Sequence, residues 1–162
     1  MTANPVKDVE ESTNLMAWSK ELSVGIQEID EQHKILVDLL NQLHRAIIQH
    51  QGSEAAGKIL SQLLEYTRVH FAVEESLMRI LGYPGYDEHK HHHEILLDEV
   101  KLLSEKMLHG KHSVSFELMH FLKQWLTKHI MEEDKLYTPF FLSKGAQSKY
   151  QKSSWIKKLW HP

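Results

Sequence analysis

Residues 88 to 94 read EHKHHHE, which places four histidines in five consecutive positions. Downstream, Leu96, Val100, Leu103 and Met107 recur at three- and four-residue spacing, the mark of a helix with one apolar face. Each residue of a helix turns about 100°, so His89, His91, His92 and His93 cannot share a direction. Measured from His89, the apolar stripe lies within about 40° and His93 at about 40°. His92 falls at about −60°, on the flank, and His91 at about −160°, on the back. His89 and His93 therefore point toward the core, and His91 points to water.

Working outward, three breaker segments divide the chain: QGS at 51–53, GYPGYD at 82–87 and HGKH at 109–112. Between them the helical period runs from about residue 24 to 50, 53 to 81, 87 to 108 and 113 to 137, with Pro139 expected to end or limit the last helix. No segment alternates with period two, which argues against strands. Four helices of similar length with short connections pack as antiparallel neighbours. The expected fold is all-α, an antiparallel up-down-up-down four-helix bundle over residues 18–142. A loose N-terminal arm, 1–17, precedes it and a basic tail, 143–162, follows.

Composition narrows the chemistry. A chain of 162 residues without cysteine has no disulfide, thiolate nucleophile or zinc–thiolate site, whereas its 13 histidines point to imidazole chemistry. Net charge is −3, but the stretch from residue 143 onward holds five lysines and no acid, so the body is more acidic than the total. That balance argues against nucleic-acid binding. The N-terminus lacks a signal-peptide pattern and no apolar run approaches the roughly 20 residues needed to cross a bilayer, so a cytoplasmic location is expected.

The other helices repeat the pattern of polar intruders in an apolar stripe. Ile26, Ile29, Val37, Leu40 and Ile47 surround His33 in the first; Ile59, Leu63, Tyr66, Leu77 and Leu81 surround His70 and Glu74 in the second. Leu118, Leu122, Trp125, Leu136 and Phe140 surround His129 in the fourth. A lone inward histidine is usually a hydrogen-bonded core residue, and His44, about 16 Å along the axis from His33, is read that way. The other five are different because they share one height. At about 1.5 Å per residue, His33 and His70 each lie about 25 Å from the turn joining their helices, and His89, His93 and His129 match them across the bundle. Buried polar groups are costly unless paired, so one layer containing all of them calls for a common partner. Paired Glu-x-x-His elements of the ferritin-like kind do not supply it. In Glu88–His91 and Glu117–His120 the second histidine of each pair faces away from the core, and the two pairs differ in height.

With these residues assembled, the chain resembles a hemerythrin, specifically a bacterial hemerythrin-like protein, from about Trp18 to Phe141. The resemblance rests on VGIQEIDEQH ending at His33, HFAVEE with His70 and Glu74, the His89–His93 spacing, and HIMEED with His129 and Asp134. It implies a non-haem di-iron centre that binds dioxygen reversibly. One iron would take His89, His93 and His129 and the other His33 and His70, with Glu74 and Asp134 bridging. With a shared oxo or hydroxo bridge, these ligands fill all but one position of two octahedral irons, leaving one for dioxygen. A tetrahedral zinc has no use for seven ligands. One element strains ideal geometry: Asp134 lies about 140° from His129 on a regular helix, and Glu133 about 40°. Spacing alone selects Glu133. The family pattern selects Asp134, which requires a locally widened turn.

The implied function is an oxygen carrier, store or sensor rather than an enzyme. The alternative is a di-iron redox enzyme acting on peroxide or nitric oxide, or as an oxidase. Trp125, Leu126, Ile29, Val37 and Leu77 are candidate walls of a dry pocket. In the tail, Trp155, Ile156, Leu159 and Trp160 fall on one helical side, with Lys157 and Lys158 near the other. Such a segment suits an anionic membrane, a partner such as an oxidase, or the acidic bundle itself.

Overall fold

A computed structural model of the chain describes residues 14–109 and 112–146, with the side chains of 107, 108 and 112–115 also outside the description. The expected part of the arm up to residue 13, the tail beyond Ala146 and the inward placement of Met107 lie outside the described residues. After a 3₁₀ turn at Lys20–Leu22 come α1 (Gln27–Ile48), α2 (Ser53–Leu81), α3 (Tyr86–Leu108) and α4 (His112–Lys128). The last helix continues without a break through a π-helical segment, His129–Asp134, into α5 (Lys135–Ser143). No strand occurs among the described residues. Sequential helices pack on one another and α4 closes the ring against α1, giving the four-helix bundle.

Local chemistry accounts for the helix ends. Gly82 takes the left-handed conformation (φ 72°) that stops α2. The Tyr83 N–H then reaches the Met78 carbonyl and the Gly82 N–H reaches Arg79, the pairing that satisfies the last carbonyls of a helix. At the start of α1, buried Asp30 accepts the Val24 N–H at 2.7 Å and the Ser23 hydroxyl. A carboxylate there also favours the positive end of the helix dipole.

Four expectations change on contact with the structure. Residues 14–16 are docked, not loose: Met16 is buried, and its backbone N–H and carbonyl pair with the two ends of the Asn41 amide at 3.0 and 2.7 Å. Pro139 does not end the last helix, since α5 runs through it to Ser143. The buried face of α2 keeps Leu63, Tyr66, His70 and Glu74 but is turned by about 40° from the expected stripe. It centres on Leu60, Leu63, Thr67, Phe71 and Met78, while Ile59 and Leu77 sit half-buried on its flank. The reason is that α2 is wedged between α1 and α3, so Phe71 and Met78 turn inward beside His70 and Glu74. The fourth concerns α5. Leu136, expected in the core, is 70% exposed, and Tyr137 and Phe141 are fully buried in place of Leu136 and Phe140.

The docked N-terminal segment gives a first test. Asn41→Leu keeps the size of the side chain but leaves the Met16 N–H and carbonyl without partners, at a cost of about 1–3 kcal/mol. Urea unfolding should show that loss; a change under about 0.3 kcal/mol would mean the docked segment contributes nothing to stability.

Candidate metal centre

Four helices bring the polar intruders together in one layer of the bundle. His33 comes from α1, His70 and Glu74 from α2, His89 and His93 from α3, and His129 and Asp134 from the π segment. All seven are buried, His89 at 5% exposure being the most accessible. His91 is exposed and His92 half-exposed; the latter meets Glu133 at 3.6 Å and none of the buried carboxylates. His44 is half-buried and outside the cluster.

Every one of the five imidazoles presents Nε2 to the carboxylates. The carboxylate of Glu74 lies against His70 Nε2, with His89 at 3.2 Å, His93 and His129 at 3.6 Å and His33 at 3.9 Å. That of Asp134 lies 2.7 Å from His33, 3.1 Å from His129, 3.4 Å from His89 and 3.9 Å from His70. The donor atoms form two overlapping groups, each compact within 4.8 Å. One is His33, His70, Glu74, His129 and Asp134; the other is Glu74, His89, His93, His129 and Asp134. Both carboxylates belong to both groups.

The opposite ring nitrogens are held from behind. His70 Nδ1 pairs with Gln32 Oε1 at 2.6 Å, His93 Nδ1 with Glu75 Oε1 at 2.9 Å and His129 Nδ1 with Glu133 Oε2 at 3.2 Å. An Nδ1–H donated to such an oxygen fixes the tautomer with its lone pair on Nε2, where a cation is bound. Phe71 stacks on His93 at 3.6 Å, and Trp125 lies over His129 with ring centres 6.0 Å apart. Gln32, Glu75, Phe71 and Tyr137 were not identified from the sequence. Gln32 and Glu75 sit one residue off their helix's inward positions, so periodicity places them outside, yet each reaches a histidine on the neighbouring helix.

The π segment decides which of Glu133 and Asp134 enters the buried layer. Its wider turn puts the residue five beyond His129 where a regular helix would put the fourth, so Asp134 faces Nε2. Glu133, at the fourth position, takes the other side of the same ring.

These residues fit a bound cation. Nε2 of His33, His70, His93 and His129, together with Glu74 Oε1 and both Asp134 oxygens, are buried and make no well-directed hydrogen bond. So many crowded, unsatisfied donor atoms are costly without a positive charge among them. Without metal, protons take its place. Burial alone disfavours the His89 imidazolium, but the adjacent Asp134 and Glu74 carboxylates outweigh it and raise its pKa to about 9. Burial likewise opposes protonation of His70 and His129, and the two carboxylates again prevail and raise both. Glu74 and Asp134 are held well below the ordinary carboxylate range, their burial being outweighed chiefly by His70 and His129 respectively.

Metal and protons therefore compete. The raised His89 pKa stabilises the metal-free fold fully below about pH 6.5, and that contribution fades as pH rises through about 9. Loading metal at pH 7 should accordingly release protons, with affinity climbing as pH approaches 9. Calorimetry in buffers of different ionisation enthalpy measures this; metal uptake with no proton release would refute it.

The arrangement has counterparts among known proteins. The hemerythrin HHE cation-binding domain matches residues 24–141. The bacteriohemerythrin of Stenotrophomonas maltophilia is 37% identical over 76% of this chain and 79% of its own length. That of Methylococcus capsulatus is 35% identical over 77% and 95%. A crystal structure of wild-type hemerythrin superposes with a TM-score of 0.72 at 33% identity, covering 78% of this chain and 98% of that one. The bundle and the cation-binding domain define a helical metal-binding protein. The chain belongs to the hemerythrin family.

Proposed function

We propose that the protein binds dioxygen reversibly at a di-iron centre held by His33, His70, Glu74, His89, His93, His129 and Asp134, as an oxygen carrier, store or sensor. The observation that carries this reading is the donor set: five neutral-capable imidazoles and two carboxylates, the carboxylates shared between two overlapping groups. Two cations fit that pattern, with His89 and His93 on one, His33 and His70 on the other, and His129 assigned to the first by family resemblance. Nitrogen and carboxylate ligands in this number suit octahedral iron. When bound, the iron pair supplies the redox chemistry of reversible oxygen binding.

The chain's own residues supply the surroundings. Buried Phe71 packs on His70, His93 and His129, and buried Trp125 on His129, so these apolar rings keep water from that side of the donors. Gln32, Glu75 and Glu133 fix ring orientation from behind. No helix among the described residues is long and apolar enough to cross a membrane, and the assignment to the cytoplasm rests on sequence.

Oxygen titration of the reduced, iron-loaded protein tests the reading. An oxygenated spectrum that forms on mixing and reverses under vacuum is expected. Immediate, irreversible oxidation would instead indicate a redox enzyme, and absence of iron after expression in iron-rich medium would overturn the centre itself.

A further inference from the structure

A groove of about 490 Å³ runs along the bundle surface between α3 and the α4–π–α5 rod. Its walls include His92, Ile95, Phe121, Trp125 and Leu136, and its floor reaches Glu133 and the edge of His129. Ile95 and Leu136 are 43% and 70% exposed, a poor arrangement for large apolar side chains left facing water. Carboxylates outnumber cations at the rim: Glu132 and Glu133 line it with the single exposed Lys128, and exposed Glu88 and Glu99 share the helix face of His92 and Ile95.

We infer that this groove is the docking site of the chain's own C-terminal segment, with Trp155, Ile156, Leu159 and Trp160 laid against Ile95, Phe121 and Leu136. Three observations select this occupant. Residues 147–162 carry four lysines and no acid, complementary to the rim. The four large apolar residues fall on one helical side, which suits a groove open along its length. The chain also leaves the bundle within reach. From Ser143 back to Glu132 is about 16 Å along the rod, and the nine residues from Ala146 to Trp155 span up to about 30 Å.

Hydrogen exchange on the full chain tests it at dilute concentration. In the wild type, amides of residues 153–161 should exchange at least about tenfold more slowly than a free chain. The protection should vanish both in a Trp155→Ala, Trp160→Ala variant and in Leu136→Lys, with exchange rising over residues 92–96 and 121–136. Leu136 is exposed, so its substitution leaves the bundle folded, as helical circular dichroism should verify. Free-chain exchange of the tail, or protection that survives Leu136→Lys, overturns the inference. Protection that requires vesicles of anionic phospholipid, or that grows with protein concentration, also overturns it and assigns the segment to a membrane or to a second copy. None of these readings depends on iron, so failure of the docking and failure of the oxygen-binding reading are separately visible.

Discussion

Glu74→Ala should abolish metal binding altogether, taking iron per chain from the proposed two to none. Glu74 is the one carboxylate that lies against Nε2 of all five histidines; Asp134 approaches four of them. Removing it deletes a ligand shared by both donor groups and half of the negative charge that draws cations into the layer. The loss extends to the metal-free fold. His70 and His129 owe their raised pKa in part to Glu74, and without it their imidazoliums stand among apolar walls with Asp134 alone. Breaking a buried ionic cluster by deleting one partner costs about 3–5 kcal/mol, a large share of the total stability of a domain this size. The sign with pH is also fixed. The Glu74 pKa is lowered, so its contribution is present above about 4.5 and lost as pH falls through its folded value. Metal-free wild type should lose stability on acidification more steeply than the variant. Iron analysis and urea unfolding of the metal-free forms measure both effects. Retention of iron by Glu74→Ala would remove Glu74 from the centre. His91→Ala, on the solvent face, is the control and should change neither quantity.

How far the centre could be read from sequence depended on which physical rule governed each residue. His33, His70, Glu74, His89 and His93 sit in regular α-helix, where a 100° turn and a 1.5 Å rise convert sequence position into direction and height. Their convergence followed from arithmetic. The back-side partners did not, because Gln32 and Glu75 belong to the inner layer by reach rather than by helix face. Periodicity reports where a Cβ points, not how far a long side chain extends toward the next helix. The face of α2 was misjudged for a related reason. Apolar residues flank it on both sides, and only its neighbours decide that Phe71 rather than Ile59 is buried.

The last helix shows where such arithmetic fails outright, and it yields the second large prediction. Continued at 100° per residue from His129, it puts Leu136 and Phe140 in the core. The π segment adds one residue to the turn, so every later position shifts by one, and Tyr137 and Phe141 take those places. The same added residue lets one imidazole meet two carboxylates: Asp134 at Nε2 by 3.1 Å and Glu133 at Nδ1 by 3.2 Å. Tyr137→Ala should therefore cost about 3–5 kcal/mol, as for other buried aromatics. Leu136→Ala, which leaves the packed core intact, should cost no more than about 1 kcal/mol, although an unbroken helix would rank it the deeper residue. Deleting Glu132 separates the two roles of the bulge. A regular α-helix then restores the register of everything after it, so Tyr137 and Phe141 should remain buried and the bundle should still fold. His129 can no longer keep one carboxylate on each nitrogen, and iron affinity should fall by at least tenfold. Unfolding curves and iron competition on the three variants decide the matter. A Leu136→Ala loss equal to that of Tyr137→Ala would refute the π register, and an iron-tight Glu132 deletion would show that the bulge is not needed for the metal.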